Sequence, residues 1–538
     1  LKLHINFLPL FISSYNIILS QNIVSALVFS IQPFKDLKGD MGRMAIQKQE
    51  IIVPESSGQE ERKLKRGLKS RHLTMISIGG AIGTGLFLGS GAAIHTAGPG
   101  GALFAYAFVG AMVYFVMTSL GELSAFMPTS GAFSTYGTKF IDPAFGFALG
   151  WTYWFNWAMT IAAELTASTM IMKFWFPHSP SLLWSLSFLV LIFLLNYLSV
   201  RGYGEGEYWF SFIKVAAITI FIVVGLLMIF GIMGGEVIGF KNFTVGKAPF
   251  PGGMLGTFII FIAAGFSFQG TEIVGVAAGE SEDPGKNIPK AIKSVFWRIL
   301  LFYVLAILVV GLIIPYTNHN LQSDSVMVSP FTLVFKKAGL AFAASLMNAV
   351  ILTAVLSAGN SSLYASTRML YAMAKEGQAP RIFGKLNKRG VPVAAIILTT
   401  VVGMLAFFSS IFGDGVVYMW LMNSIGITGF IFWLGISMSH YRFRKAFLTQ
   451  GHSLSELPYH AKWYPFGPIF AIAICLIVTL AQDYQAFLAP HIDWGNVIAA
   501  YLGIPFFLVL WLGYKFIRKT KVVPLEECEF EFDYKTKD

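Results

Sequence analysis

The chain has 538 residues, 55% hydrophobic and only 12% charged, about half the charged share of a soluble domain, which excludes a water-solvated globule. Its net charge of +11 is scattered between apolar runs and forms no basic stripe, which excludes nucleic acid as a partner. The apolar runs are about 20 residues long and do not alternate with polar residues, which fits helices crossing a lipid bilayer and excludes a barrel of strands.

Residues 1–43 begin with Leu1 and mix apolar residues with Ser13, Ser14, Asn16, Gln21 and Asn22. Polar groups at the centre weaken this stretch as a span, and no small-residue cleavage site marks a signal peptide. Residues 1–61 are therefore expected to be an extension outside the working core. About twelve spans follow, at 74–95, 101–121, 145–172, 182–200, 209–231, 257–278, 298–315, 340–366, 393–412, 417–438, 466–482 and 495–514. The fold expected is all-α and polytopic.

The first span contains Ile78-Gly79-Gly80-Ala81-Ile82-Gly83-Thr84-Gly85, where each glycine costs a helix interior about 1 kcal/mol relative to alanine. The helix is expected to unwind there. Glu122 closes the second span, placed either to pair with a nearby cation or to carry protons. On the third span Tyr153, Trp157, Thr160 and Glu164 share one helical face and read as a pocket wall or as packing. Lys214 lies within the fifth span. Its ammonium either snorkels to the interface or sits against the first span where a sodium ion would otherwise bind, giving protonic coupling.

The sixth span is interrupted at Gly265-Phe266-Ser267-Phe268-Gln269-Gly270-Thr271-Glu272. Here Gln269, Thr271 and Glu272 bring polar groups to mid-membrane depth. Glu272 is either a contact for a substrate ammonium or proton, or a structural acid bridging helices. Glu280 and Glu282 read as solvated loop charges. On the eighth span Ser357, Asn360, Ser361 and Tyr364 share a face, lining the path or bonding neighbouring helices.

Breaks in the first and sixth spans are the mark of two inverted five-helix repeats with a site between them. The expected division is 62–235 and 236–445 for the repeats, 446–520 for two further helices and 521–538 for a tail. Half-helix N-termini suit a carboxylate and half-helix C-termini an ammonium, and an α-amino acid carries both on one carbon. The backbone of Gly80, Ala81, Gly83, Thr84 and Gly85 is expected to take the carboxylate, and carbonyls near Ile78 and Phe266 the α-amino group.

Basic clusters at 62–71, 286–298, 368–389, 442–445 and 515–521 alternate with loops holding only Lys173, Lys241, Lys247, Lys336 and Lys337. The positive-inside rule then places both termini in the cytoplasm. The two cysteines, Cys475 and Cys528, are expected not to pair. With no metal-ligand spacing, phosphate loop or nucleophile–base set, neither an enzyme nor a cofactor is expected.

The stretches Arg71-His72-Leu73-Thr74-Met75, Gly98-Pro99-Gly100-Gly101, Gly121-Glu122-Leu123 and Glu280-Ser281-Glu282-Asp283-Pro284 resemble the amino acid/polyamine/organocation permeases. Together with Ser439-His440-Tyr441-Arg442 they are most similar to the yeast and bacterial amino-acid transporter branch, over roughly 62–520. Trp297-Arg298-Ile299 and Ile313-Ile314-Pro315-Tyr316-Thr317 resemble its lysine-transporting members. The resemblance implies a LeuT-type fold, import of L-lysine with protons, and a proton-linked Lys214. Alternatives are arginine, histidine or a neutral amino acid as substrate, or an amino-acid sensor that signals to a membrane-protein partner.

Overall fold

The computed structural model describes residues 67–79, 82–198, 200–233, 237–321, 329–481 and 494–530. The expected extension over 1–61 and the expected contacts of Gly80 and Ala81 lie outside the described residues. In chain order the helices that matter are α1 (Ser70–Gly79), α2 (Ser90–Phe126), α3 (Ala132–Phe140), α4 (Pro143–Met172), α5 (Ser181–Leu198), α6 (Val200–Ile229), α7 (Gly253–Ile259), α8 (Phe261–Phe268) and α9 (Ile273–Ala277). They continue with α10 (Pro284–Arg298), α11 (Ala306–Ile313), α12 (Pro330–Lys337), α13 (Ala341–Lys375), α14 (Val393–Gly403), α15 (Ser409–Phe412), α16 (Asp414–Thr449), α17 (Phe466–Ala481), α18 (Trp494–Tyr501) and α19 (Gly503–Arg518).

Eight stretches among the described residues are long and apolar enough to cross a membrane, making the chain a multi-pass membrane protein. The first of these, Gly85–Phe126, joins two helices at Gly98, whose φ of +76° is open to glycine. A side chain there would also meet Pro251 Cδ at 2.2 Å.

The 30-residue helix α4 is absent from those eight because it carries Asn156, Thr160, Glu164, Thr166, Ser168 and Thr169. It can be polar because neighbouring helices shield it. Only Pro143, Trp151 and Phe155 escape full burial, and α3, α5, α13, α16 and α19 pack around it. Its start is set by Asp142, which accepts from the Ala144 amide at 2.9 Å ahead of Pro143.

The basic end of the bundle is tied by charges. Glu280, expected to be solvated, is fully buried and accepts from Arg368 Nε at 2.7 Å; Glu282 is exposed. The Leu68 amide donates to the Glu280 carbonyl and the Glu282 amide to Leu68, each at 3.1 Å, so the chain before α1 covers the end of the ninth helix. The expected location of Arg298 in a basic loop cluster is corrected too: it is 1% exposed and enclosed between helices. Beyond α19 the chain turns back across this face. Lys515 and Thr520 hold Asp142, Gln450 donates to the Leu525 and Cys528 carbonyls at 2.9 Å, and Phe530 packs on Phe126, Phe140 and Phe443. Burial would raise the Asp142 carboxyl, but Lys515 and Thr520 hold it below the usual range.

Glu122 is saturated. Arg444 donates to both of its oxygens, the Ala461 amide donates at 2.7 Å, and His440 Nε2 lies 3.1 Å away. Removing one partner of a buried pair strands the other charge, at a cost of about 3 kcal/mol. Arg444→Met should therefore lower the thermal midpoint of the detergent-solubilised protein by several degrees, with Arg444→Lys in between. A midpoint unchanged in both variants would show that the pair does not hold this face together.

Candidate functional site

Both helix interruptions form where the glycines and polar residues stand. The first separates α1 from a wide turn over Gly85–Gly89 that leads into α2; the second separates α8 from α9, with Gly270 at φ +96°. The two cross so closely that a side chain at Gly85 would lie 2.6 Å from Ser267 Cα. A small cavity opens at this crossing. Gly83 and Gly85 bound it from the first break, Phe266 and Gln269 from the second, Trp157, Thr160 and Glu164 from α4, and Ala358 from α13. The three α4 residues stand at helical spacing on one face.

Glu164 is the only ionisable residue among those that line the cavity. Its Oε1 accepts from Thr84 Oγ1 at 3.1 Å, while Oε2 is buried with no partner among the described residues. A side chain at Gly83 would come within 2.9 Å of that carboxylate, so the glycine keeps its approach to the first break open. A buried carboxylate oxygen lacking a donor can receive a charged N–H group from an occupant.

The carbonyl end of α1 already has cations. Lys214 Nζ donates to the Gly79 carbonyl at 2.8 Å, and Arg298 donates to the Ser77 carbonyl and to Thr271. Lys214 is fully buried, which removes the snorkelling alternative. It stands 3.8 Å from Glu207 Oε1 and within electrostatic range of Glu164.

Of the expected site residues, Ile78, Tyr153, Thr271, Glu272, Ser357 and Asn360 fall outside the lining, and the expected Phe266 carbonyl is already occupied. Ile78 is half-buried at the end of α1, and the Phe266 carbonyl already accepts from the Gln269 amide at 3.2 Å. Tyr153 is packed among Phe133, Trp157 and Phe432. Thr271 donates to the Phe268 carbonyl at 2.5 Å. Glu272 folds back on the break, accepting from the Gly270 amide and from Trp433 Nε1 at 3.2 Å. Ser357 donates to Glu207 at 2.5 Å, and Asn360 accepts from Asn196 at 2.8 Å, so that face of α13 bonds α6 and α5.

Ala358, Glu207 and Arg298 were not singled out from the sequence. Glu207 had a signal, since it stands seven residues before Lys214 on one helix face. Arg298 ends a run of loop-like basic residues, and an alanine carries no mark.

The close crossing yields a stability test. Gly85→Ala would push into Ser267 backbone atoms, and overpacking of this kind costs about 1–3 kcal/mol. Gly89→Ala has its nearest neighbour 4.0 Å from the added carbon. Thermal unfolding should show a lowered midpoint for the first variant and none for the second; equal midpoints would mean that the crossing is loose.

Comparison with known proteins agrees with this geometry. The amino acid permease family model matches residues 72–526. The lysine-specific permease of Escherichia coli is 59% identical over 89% of this chain and 99% of its own length. The lysine-specific permease of Lactococcus lactis is 52% identical over 90% of the chain and 96% of its own, and the histidine permease of the same organism is 52% identical over 88% and 99%. A match of this extent, on a bundle broken at the first and sixth spans, means that the chain belongs to the amino acid permease family, multi-pass transporters of the LeuT-type fold with two inverted five-helix repeats.

Proposed function

We propose that the protein imports L-lysine together with protons across the cell membrane by alternating access, with both chain ends in the cytoplasm. The observation that carries this reading is the unpartnered oxygen of Glu164 in the wall of the cavity. An α-amino acid brings a carboxylate for the helix start after Gly83 and an ammonium for a carbonyl or carboxylate. A lysine brings a second ammonium, and Glu164 supplies the acceptor for it. The names of the two lysine-specific relatives support the same substrate.

Proton coupling rests on Lys214, whose ammonium bonds the carbonyl end of α1 as a bound cation would. A protein-borne cation changes charge by losing a proton, so its hold on the first break can respond to a proton gradient. The bridge of Leu68 to Glu280 and Glu282, and the Glu280–Arg368 pair, form the cytoplasmic closure that must open for release. On the opposite side Ser329 Oγ donates to the Phe87 carbonyl at 2.6 Å. The two repeats over 62–445 carry transport, with 446–520 supporting them from outside.

Histidine is the second reading, because a histidine permease matches as well as one of the lysine-specific relatives does. Proteoliposomes holding the purified protein, in sodium-free buffer, decide between them. Labelled lysine should accumulate only with an inward proton gradient, and unlabelled lysine should compete better than histidine, arginine or alanine. Histidine competing best would replace the substrate, and binding without uptake would leave a sensor. Losing a charge-assisted hydrogen bond costs about 1.5–3 kcal/mol, so Glu164→Gln should weaken lysine affinity at least about tenfold. Unchanged affinity would remove Glu164 from the substrate's side-chain site.

A further inference from the structure

The charged group that the site does not yet use is Glu207. It is fully buried on α6, seven residues before Lys214. Oε1 accepts from Ser357 Oγ at 2.5 Å and lies 3.8 Å from Lys214 Nζ. Its Oε2 has no partner among the described residues. One turn nearer the basic face, Tyr203 Oη lies 3.1 Å from Ser361 Oγ and its ring stacks on Tyr364 at 4.1 Å. Arg368 then stands 4.5 Å over the Tyr364 ring and binds Glu280.

A buried polar ladder thus runs from the cavity towards the basic end, through Glu164, Lys214, Glu207, Ser361 with Tyr203, and the Glu280–Arg368 pair. Charged and titratable groups facing Glu207 are Lys214 and Tyr203 from its own helix, with Tyr364 and Arg368 further along α13 and Glu164 across Lys214 on α4. From α1, His72 is turned to Glu205 instead, at 3.2 Å. Neutral Ser357, Asn360 and Ser361 complete the surroundings.

We propose that Glu207 accepts the transported proton from Lys214 and passes it towards the cytoplasm. This rests on the proton coupling proposed above and names the next group in its path. An N–H bond of the Lys214 ammonium breaks as an O–H bond forms on the Glu207 carboxylate. The ion pair becomes an amine and a carboxylic acid, so the pair's net charge is unchanged and no charge is stranded in the low-dielectric interior. The amine holds the Gly79 carbonyl less strongly than the ammonium did, which loosens the end of α1. The proton then leaves Glu207 for water at the cytoplasmic opening, and Lys214 takes its next proton from the other side. The 3.8 Å gap closes to bonding distance by a side-chain adjustment of about 1 Å.

The test separates proton coupling from lysine exchange in proteoliposomes. Wild type is measured first, for gradient-driven accumulation of labelled lysine, for lysine counterflow at equal pH, and for lysine-dependent proton entry read by a trapped pH dye. Glu207→Gln should keep counterflow and its KM within about threefold while losing accumulation and proton entry by about tenfold or more, and Glu207→Asp should restore part of both. Monodisperse elution of each variant shows that it has folded. Glu207→Gln accumulating lysine as wild type does would overturn the relay. So would equal loss of counterflow and accumulation in both variants, the mark of a structural role. Wild type lacking gradient-driven accumulation would instead refute the coupling reading itself, before any variant is compared.

Discussion

A helix that stops at mid-membrane depth leaves carbonyls that no lipid can satisfy, and each unsatisfied group costs several kcal/mol. The fold depends on how this constraint is met at the end of α1. Lys214 comes in from α6 and Arg298 from α10, one to the Gly79 carbonyl and one to the Ser77 carbonyl. Both cations are themselves buried, so each needs a carboxylate within range, and Glu207, Glu164 and Glu272 supply that charge. Breaking the first helix thus draws five charged residues into the interior.

Keeping such a cluster dry requires a shell of close-packed helices, and this is where α4 and the glycines enter. The helix α4 is too polar to face lipid, and it is enclosed by α3, α5, α13, α16 and α19. Its polar face can then meet the two breaks. The breaks approach one another only because Gly85 lacks a side chain, a close approach of the kind that small residues permit in membranes, and Gly83 likewise leaves room for Glu164 and Ala358. The aromatic face that includes Tyr153 and Trp157 divides its work: Trp157 reaches the cavity, whereas Tyr153 packs behind it against Phe133 and Phe432.

What could be read beforehand follows from which signals are local. Apolar runs, glycines inside a span and a lysine at membrane depth are visible one segment at a time, and they located the spans, both breaks and Lys214. Contacts between helices far apart in sequence leave no such trace. Nothing around Glu280 announces that Arg368, 88 positions away, buries it. Likewise the place of Glu272 after the second break leaves open whether it meets a substrate or bridges helices, and only the reversal at Gly270 shows its carboxylate turned to the Gly270 amide and to Trp433. Arg298 shows the same limit from the other side, since a charge that ends a basic run reads as solvated until its burial against Ser77 and Thr271 is seen.

The balance of buried charge around the breaks bears on what the cavity accepts. Glu164, Glu207 and Glu272 face Lys214 and Arg298, three carboxylates against two cations, while Glu122 and Glu280 are matched by Arg444 and Arg368. With each group in its ordinary ionised form, the region is one positive charge short. A neutral amino acid, whose carboxylate and ammonium cancel, leaves that deficit in place. A cationic amino acid removes it, and in a low-dielectric interior an unmatched charge costs more than any surface ion pair returns. On the proposed function, Lys214 matches Glu207 and Arg298 matches Glu272, so the unmatched charge is that of Glu164, the one carboxylate of the cluster that lines the cavity and the one a cationic side chain would meet.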